Sequence, residues 1–395
     1  MVSLLLLIII YLSFISLGLP DSLLGSAWPS MYSLLNVPLH YAGYISMVVA
    51  GGTIISSVFS ARIIRRFGTG IVTAVSVFMT AAALIGFSFA RSFPHSFFYL
   101  CLCAVPLGLG AGSVDAALNN YVALHYKARH MSWLHCFWGI GASIGPLIMA
   151  SYLLKEKGLW NLGYRTIGII QFCLVLLLFI SLPLWKSKSA AESPRRRSSL
   201  KFRELFRITG VKEALTAFFC YCTIEILTGF WGASFLVFER GISPEIAAKW
   251  ISLYYIGITS GRFLSGFITL KLSNRQMVRL GQIITGCGIV VLVLPFGNST
   301  LLPGLFMIGF GCAPIYPSLL HETPKNFGEE NSQAIIGIQM ASAYIGITIM
   351  PPIFGCLASY TSFNILPAFI GIILVIKIIM TETLNRKTDK IKAGR

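Results

Sequence analysis

The chain has 395 residues, of which 55% are hydrophobic and 11% charged, and its mean hydropathy is +0.77. This composition leaves too little polar surface to cover a water-soluble globule, which excludes a soluble enzyme or a soluble binding domain. The net charge of +17 would indicate a nucleic-acid-binding protein only if the basic residues shared one soluble face. They lie instead in short connections between apolar segments, so lipid is the main solvent and no nucleic-acid partner is expected.

Twelve apolar segments follow one another along the chain. A hydrocarbon core of about 30 Å needs roughly 20 apolar residues in a helix. Unbroken apolar runs such as 171–184 and 281–294 lack the alternation of a transmembrane β-strand. The sequence therefore predicts an all-α integral membrane protein of twelve transmembrane helices. The predicted spans are 3–34, 39–61, 69–90, 96–122, 131–154, 162–185, 211–238, 246–270, 276–296, 301–321, 332–357 and 361–381.

Lysine and arginine are concentrated on one side of the predicted membrane. With the N-terminus in the cytoplasm, most of the 31 Lys and Arg fall in cytoplasmic connections, the distribution that sets the orientation of membrane proteins. We therefore expect a multi-pass protein of the cell (inner) membrane with cytoplasmic N- and C-termini. The first apolar run has no basic start and no cleavage site before a soluble domain, so we expect a retained helix rather than a signal peptide.

A polar, basic stretch near the middle of the chain separates two sets of six helices. Asp21 and Trp28 in predicted helix 1 recur as Glu225 and Trp231 in predicted helix 7. Transporter folds are commonly built from such repeats, so two pseudo-symmetric six-helix bundles are expected. The predicted organisation is an N-terminal bundle (1–185), a cytoplasmic basic linker (186–210), a C-terminal bundle (211–381) and a cytoplasmic tail (382–395).

Three acidic residues lie well inside the predicted spans: Asp21, Asp115 and Glu225. An ionisable side chain at mid-bilayer costs roughly 2.5–3.5 kcal/mol on insertion scales, so such residues usually face a bundle interior or an aqueous cavity. We predict that these three acids couple transport to protons. The alternative is that each anchors its helix by a hydrogen bond. Gly18 and Pro20 interrupt predicted helix 1 just before Asp21, a discontinuity typical of helices that line substrate cavities.

A neutral polar solute requires hydrogen-bonding amides and aromatic faces in a mostly apolar cavity. Polar and aromatic side chains in predicted helices 4, 5, 7, 10 and 11 could supply them, although each could equally be a packing residue. His135 and Trp138 could share a proton with Asp115 or stack on the solute. The predicted substrate-binding residues are Asn119, Asn120, Tyr121, His135, Trp138, Trp231, Tyr316, Gln339 and Tyr344.

Arginines in predicted helices 2 and 8 are candidate gating residues. Arg62 and Arg66 end helix 2, where their alternative role is anchoring on the cytoplasmic side. Arg262 in helix 8 could extend to the interface or pair with an acid across a gate. Small residues at 108–112 and 141–145 predict close packing of helices 4 and 5 with their neighbours.

Several chemistries find no support in the sequence. No phosphate-binding glycine loop precedes a Lys-Ser or Lys-Thr pair, so ATP-driven transport is not indicated. The histidines and acids form no metal-ligand pair or nucleophile elbow, so we expect neither an enzyme nor a metal site. The nine cysteines have neither disulfide-framework nor metal-site spacing. We expect no cofactor; the coupling ion is a proton, with sodium as the alternative.

The six-plus-six plan, the basic turn at 62–68 and the glycine and proline pattern at 141–146 together resemble the major facilitator superfamily. Within that superfamily, Gly108-Leu-Gly-Ala-Gly-Ser-Val-Asp115-Ala-Ala-Leu-Asn119-Asn-Tyr121 looks like the helix 4 signature of the fucose:proton symporter family. The segment Gly309-Phe-Gly-Cys-Ala-Pro-Ile-Tyr-Pro317 is similar to its helix 10.

This resemblance implies sugar recognition and proton coupling by an acid in helix 1 and an acid in helix 4, which here are Asp21 and Asp115. Three features depart from the family pattern. Ala61 stands where the motif between helices 2 and 3 usually has an acid, Asp115 replaces a more usual glutamate, and the surroundings of Asp21 differ from the family's helix 1 pattern.

The sequence thus predicts a monomeric secondary active transporter in the lipid bilayer. It would move a small polar solute, a monosaccharide by preference, by proton-coupled symport with alternating access. A proton-driven exporter of amphipathic compounds is the alternative among transporters, and the 28 phenylalanines leave it open. A non-transporting membrane sensor or scaffold is the alternative from another class.

Overall fold

The computed structural model describes residues 2–126, 128–153, 159–185, 202–269 and 271–393. The regular elements in these ranges are helical, which confirms the predicted all-α class. Most of the predicted linker, residues 186–201, lies outside the described residues. The first eight helices are α1 (Val2–Asp21), α2 (Leu23–Leu34), α3 (Tyr41–Phe67), α4 (Thr69–Ser88), α5 (Ser96–His125), α6 (Ala128–Leu153), α7 (Trp160–Ile180) and α8 (Leu182–Trp185).

The C-terminal half of the chain continues the helical pattern after the linker. Its helices are α9 (Phe202–Leu205), α10 (Val211–Arg240), α11 (Pro244–Ile268), α12 (Asn274–Val293), α13 (Leu301–Cys312), α14 (Ile315–Phe327), α15 (Glu329–Tyr360) and α16 (Leu366–Ala393).

Eleven helical segments of the described residues are long and apolar enough to cross a membrane. One of them joins α1 to α2 and another joins α13 to α14. The remaining predicted span, 246–270, corresponds to α11, which has 25 residues and therefore a length of about 37 Å. Arg262 and several hydroxyl side chains make α11 more polar than the other spans. The helices thus account for the twelve predicted spans of a multi-pass membrane protein.

Predicted helices 1 and 10 are interrupted in the structure. The first is broken at Ser22, between α1 and α2, directly after Asp21. The second is broken before Ile315, where Pro314 caps α14. A proline has no N–H to donate, so it weakens the hydrogen-bond ladder around it. The interruption next to Asp21 was predicted from Gly18 and Pro20, whereas the break in helix 10 was not.

Glycines hold neighbouring helices at backbone contact. A Cβ added to Gly18 of α1 would lie 2.8 Å from the backbone N of Ala142 in α6. A Cβ added to Gly108 of α5 would lie 2.9 Å from the backbone C of Val49 in α3. Neither distance is tolerable for a carbon atom, so a larger residue would force the helices apart. The close packing predicted for residues 108–112 and 141–145 is therefore observed at Gly108 and at Ala142.

The internal contacts divide the chain into two compact units. The first unit comprises Met1–Ala190, Gly229–Ile256 and Pro351–Asn364. The second comprises Ala191–Thr228, Gly257–Met350 and Ile365–Arg395. Segments of α10, α11 and α15 therefore belong to the same unit as the N-terminal helices. The predicted bundle boundaries, which follow the sequence repeat, stay a prediction.

Within the first unit, these segments pack against the predicted outer ends of the N-terminal helices. A Cβ on Gly25 of α2 would lie 2.9 Å from the Cα of Phe230 in α10. A Cβ on Gly43 of α3 would lie 2.8 Å from the backbone N of Pro352 in α15. These approaches leave no room for a solute between the helix pairs concerned.

The predicted cytoplasmic tail begins inside α16, which continues to Ala393. Ion pairs tie this part of the helix to the second unit. Arg279 contacts Glu382 at 2.7 Å, and Arg275 contacts Asp389 at 2.7 Å. Residues 382–390 of the predicted tail are therefore packed turns of α16.

Candidate solute and proton site

Asp21 lies at the end of α1, in the middle of the membrane span formed by α1 and α2. Its side chain is nevertheless exposed, so the carboxylate borders open space rather than packed core. The indole Nε1 of Trp138 in α6 donates a hydrogen bond to Asp21 Oδ2 at 2.7 Å. A bond of this length to an ionised carboxylate is charge-assisted and roughly twice as strong as a neutral one.

The packing of α1 against α6 brings Trp138 to Asp21. Besides Gly18, two glycines of α6 face α1: a Cβ on Gly141 would lie 3.0 Å from the backbone N of Leu19, and a Cβ on Gly145 would lie 2.9 Å from Ser22 Oγ. A side chain at any of these positions would separate the two helices and lengthen the hydrogen bond. The glycine pattern of predicted helix 5 thus serves the site as well as the fold.

Asp115 lies on α5 and is half-buried. Asn119, one turn later, donates from Nδ2 to Asp115 Oδ1 at 2.9 Å and to the Asp115 backbone carbonyl at 3.0 Å. The carboxylates of Asp21 and Asp115 are close enough to interact electrostatically. Three helices therefore bring two acids, an amide and an indole into one region.

Three other predicted substrate-binding residues lie in the N-terminal half of the chain, and their surroundings differ. Tyr121 is buried, and its ring stacks on His125 with the ring centroids 4.2 Å apart. His135 is half-buried and meets the ring of Phe14 edge-on at 5.9 Å. Asn120 is exposed. Tyr121 thus belongs to the apolar core of α5 and its neighbours, whereas a solute contact by Asn120 or His135 stays a prediction.

Glu225 is the acidic residue of α10 within the membrane, and it is paired. Its Oε1 lies 3.5 Å from Nη2 of Arg262, and the two side chains are 20% and 17% exposed. Its other oxygen accepts a hydrogen bond from the hydroxyl of Tyr221, one turn earlier. Of the two alternatives for Arg262, extension to the interface or pairing with an acid, the structure shows a pair with Glu225. The gating role of Arg262 and the proton-coupling role of Glu225 stay predictions.

Lys377 of α16 is a charged residue for which the sequence predicted no role. It is fully buried, and within the described residues its amino group has no hydrogen-bond partner. The thiols of Cys220 and Cys312 lie within electrostatic range. A lysine inside an apolar run was visible in the sequence, but nothing there indicated that it points into the protein rather than toward the interface.

Trp231 and Gln339 were predicted to contact the solute, and the structure places both in packed interior. Trp231 is fully buried, and its Nε1 donates to the backbone carbonyl of Pro351 at 3.0 Å. Gln339 is buried, and its Oε1 accepts a hydrogen bond from Thr323 Oγ1 at 3.0 Å. Both residues therefore contribute to packing in this conformation, and their contact with a solute stays a prediction.

The two remaining aromatic candidates belong to the second unit. Tyr316 of α14 is half-buried, and its hydroxyl lies 3.2 Å from the sulfur of Met340. Its ring packs at 5.1 Å from that of Phe218 and at 6.0 Å from that of Tyr221. Tyr344 of α15 is also half-buried. Through Tyr221, the aromatic cluster around Tyr316 is connected to Glu225.

Arg62 and Arg66 are exposed near the end of α3. The guanidinium carbon of Arg66 lies 5.4 Å from the ring centroid of Phe67. Exposure at a helix end fits membrane-surface anchoring, and gating stays a prediction. In the ranges that the structure covers, no three His, Cys, Asp or Glu side chains are arranged to hold a metal ion.

Residues 10–248 and 213–394 match the sequence profile of the Major Facilitator Superfamily. The chain belongs to the Major Facilitator Superfamily. It is therefore a member of a family of transporters and not an enzyme, and the fold predicted from the resemblance is confirmed.

Curated relatives and solved structures agree with this assignment. The chain is 22% identical to Bypass of stop codon protein 6 of Saccharomyces cerevisiae, covering 92% of this chain and 79% of the relative. It is 24% identical to the glucose/mannose transporter GlcP of Bacillus subtilis, covering 78% of this chain and 77% of the relative.

The solved structures show the same fold at low sequence identity. The inward-open xylose transporter XylE of E. coli has a TM-score of 0.75 at 11% identity, covering 97% of this chain and 95% of XylE. FucP in its outward conformation has a TM-score of 0.66 at 16% identity, covering 97% of this chain and 99% of FucP.

Proposed function

We propose that this transporter moves a neutral monosaccharide together with a proton by alternating access, in the cell (inner) membrane with both termini in the cytoplasm. The observation that supports it most is the pair of acids on α1 and α5. Among the ion pairs of the described residues, none involves Asp21 or Asp115. Carboxylates without a cationic partner inside a membrane bundle repel each other, and a proton relieves that repulsion.

One such acid is enough to drive accumulation. Moving one charge down 100 mV supplies about 2.3 kcal/mol, which corresponds to roughly fiftyfold accumulation per proton before any pH gradient is added. The exposed carboxylate of Asp21 is accessible to the coupling proton, and Asp115 supplies the second charge that makes protonation favourable.

The substrate class follows from the groups around these acids. A sugar hydroxyl can donate to a carboxylate, the Asn119 amide can accept or donate, and the Trp138 ring presents an apolar face. The relative GlcP is a glucose/mannose transporter. A carboxylated solute is the second candidate, because the cis,cis-muconate transport protein of Acinetobacter baylyi is 24% identical over 85% of this chain. Two unpaired acids repel such an anion, which favours the neutral sugar.

Proton movement in proteoliposomes tests the proposal. Purified protein is reconstituted around a pH-sensitive dye and given glucose, mannose and other monosaccharides, then cis,cis-muconate, then amphipathic cations. We expect proton entry that depends on a monosaccharide and is lost in Asp115→Asn. The matched control is Trp133→Phe, an exposed aromatic residue of α6.

Each of the other outcomes supports a different function for the protein. Proton movement only with muconate supports the carboxylated solute, and movement only with the cations supports the exporter of amphipathic compounds. A stoichiometric protein partner without flux of any tested compound supports the sensor or scaffold. Monosaccharide flux that ignores the proton gradient refutes proton coupling, and dependence on a sodium gradient instead identifies the coupling ion.

A further inference from the structure

Trp138 contacts two side chains from distant parts of the chain. Its indole N–H donates to Asp21 of α1, as described above. Its ring also meets the ring of Tyr255 in α11 edge-to-face, with centroids 6.4 Å apart and planes at 79°. All three residues belong to the first compact unit. The indole therefore joins the exposed carboxylate to a helix of the C-terminal half.

The backbone of Trp138 has little freedom to move. A Cβ on Gly18 would lie 3.0 Å from the carbonyl carbon of Trp138, so α1 and α6 are in backbone contact at this point. The position of the indole is then decided by its side-chain rotamer alone. The hydrogen bond to Asp21 and the ring contact with Tyr255 both favour the rotamer that is observed.

Tyr255 lies in the part of α11 that packs on the N-terminal helices. It is buried, and a Cβ on Gly229 would lie 3.0 Å from its Cζ. One turn earlier on α11, Ser252 Oγ donates to the backbone carbonyl of Ser143 in α6 at 2.6 Å. The Tyr255–Trp138 contact and the Ser252–Ser143 bond thus fasten α11 to α6 at successive turns.

We propose that Trp138 is a positioning residue that couples the charge of Asp21 to the packing of α11 against α6. This inference deepens the proposed function, since it concerns the same carboxylate. While Asp21 is ionised, its charge-assisted hydrogen bond holds the indole against Tyr255. When a proton binds to the carboxylate, the bond becomes a neutral one and the rotamer is held less firmly. Proton binding then favours separation of α11 from α6, and proton release favours their contact.

Other groups near Asp21 must be separated from this effect. Asp115 of α5 acts on the charge of Asp21 and is itself ionisable. His135 of α6 is ionisable as well, and its ring meets that of Phe14 edge-on. On the side of α4 and α7, Thr80 and Gln171 form a neutral pair that reaches the backbone of α1. Asp115→Asn is therefore the variant that removes the second titrating carboxylate while leaving the indole bond in place.

Hydrogen–deuterium exchange of the full-length protein in lipid nanodiscs tests the proposal without a known substrate. The measured quantity is the amide exchange rate of residues 244–256 at pH 5.5 and pH 7.5, each rate divided by the intrinsic exchange rate of an unstructured amide at the same pH. In the wild type we expect faster exchange at the lower pH. Asp115→Asn should show the same response with a smaller amplitude, because Asp21 has lost the second charge that favours its protonation. The loss of charge assistance corresponds to about a fivefold change in the opening equilibrium. Asp21→Asn should exchange at the fast rate at both pH values.

Trp138→Phe keeps an aromatic ring but removes the N–H donor. We expect it to exchange fast in residues 244–256 at both pH values, while Trp133→Phe retains the wild-type response. Tyr255→Leu keeps the indole–carboxylate bond and removes the ring contact, so it should also lose the pH response. In solute exchange, Trp138→Phe should lose the pH dependence of the half-saturating concentration.

Three results would overturn the inference. The first is a wild-type pH response that persists in Trp138→Phe or Tyr255→Leu. The second is faster exchange in every helix of those variants, which indicates general destabilisation rather than positioning. The third is a wild type whose residues 244–256 do not respond to pH. A wild-type response without any solute-dependent proton flux would instead refute the proposed function and leave this link standing.

Discussion

The ion pair between Glu225 and Arg262 gives a quantitative prediction about stability. At 3.5 Å and an effective dielectric constant near 20, two unit charges attract by about 5 kcal/mol. The side chains are 20% and 17% exposed, so water screens part of this attraction. Removing one partner of a buried pair typically costs about 3–5 kcal/mol, because the other charge is left uncompensated. We therefore expect Glu225→Gln and Arg262→Met each to lower the free energy of unfolding by about 2–4 kcal/mol.

A double-mutant cycle separates the pair from its surroundings. The variant with both Glu225→Gln and Arg262→Met leaves no uncompensated charge, so it should be more stable than either single variant. The assay is thermal unfolding in detergent followed by size-exclusion fluorescence, in which about 1 kcal/mol corresponds to roughly 1 °C for a chain of 395 residues. Arg279→Met, which breaks a pair with 53% and 31% exposure, is the matched control and should cost under about 1 kcal/mol. Additive single effects would refute the argument.

Three further predictions concern the other intramembrane charges. Asp115→Asn should reduce sugar accumulation from roughly fiftyfold at 100 mV to equal concentrations on both sides. Exchange of labelled for unlabelled sugar at equal concentrations should persist. Uphill uptake of labelled sugar by this variant would contradict the coupling role. Asp21→Asn should weaken solute binding or coupling, because the indole loses its anionic acceptor; wild-type affinity together with wild-type accumulation would refute this. Lys377→Met should raise the unfolding temperature, since it replaces a fully buried amine without a hydrogen-bond partner in the described residues by an apolar chain of similar length. A lower unfolding temperature or loss of transport would show that the amine has a role.

The fold was predictable because hydropathy and helix length carry most of the information about a membrane protein. The rarity of acids inside the spans was enough to select Asp21 and Asp115, which the structure brings within electrostatic range. The span that corresponds to α11 was also predicted, although its polar residues keep α11 out of the eleven segments that are apolar enough to cross a membrane. These predictions succeeded because each depends on the composition of one segment of the chain.

Contacts between helices that are distant in the sequence were harder to predict. Trp138 was predicted to stack on a solute, and its N–H donor role toward Asp21 depends on the rotation of α6 about its axis, which the sequence does not specify. Trp28 and Trp231 recur in the two predicted halves, and both indoles are buried and donate to backbone carbonyls. The two tryptophans therefore share the same packing role. The burial of Lys377 was not foreseen, because it depends on which face α16 presents to its neighbours.

The break at Ser22 also determines how movement in one part of the protein reaches the carboxylate. The 12-residue α2 is held in the outer packing by Gly25, whereas α1 is held along α6 by Gly18. Asp21 is the last residue of α1 and is separated from α2 by a single residue. A displacement of α2 would therefore rotate the backbone about Ser22, next to Asp21, rather than shift the whole of α1 along its axis. The acid can change its surroundings while most of α1 stays where it is.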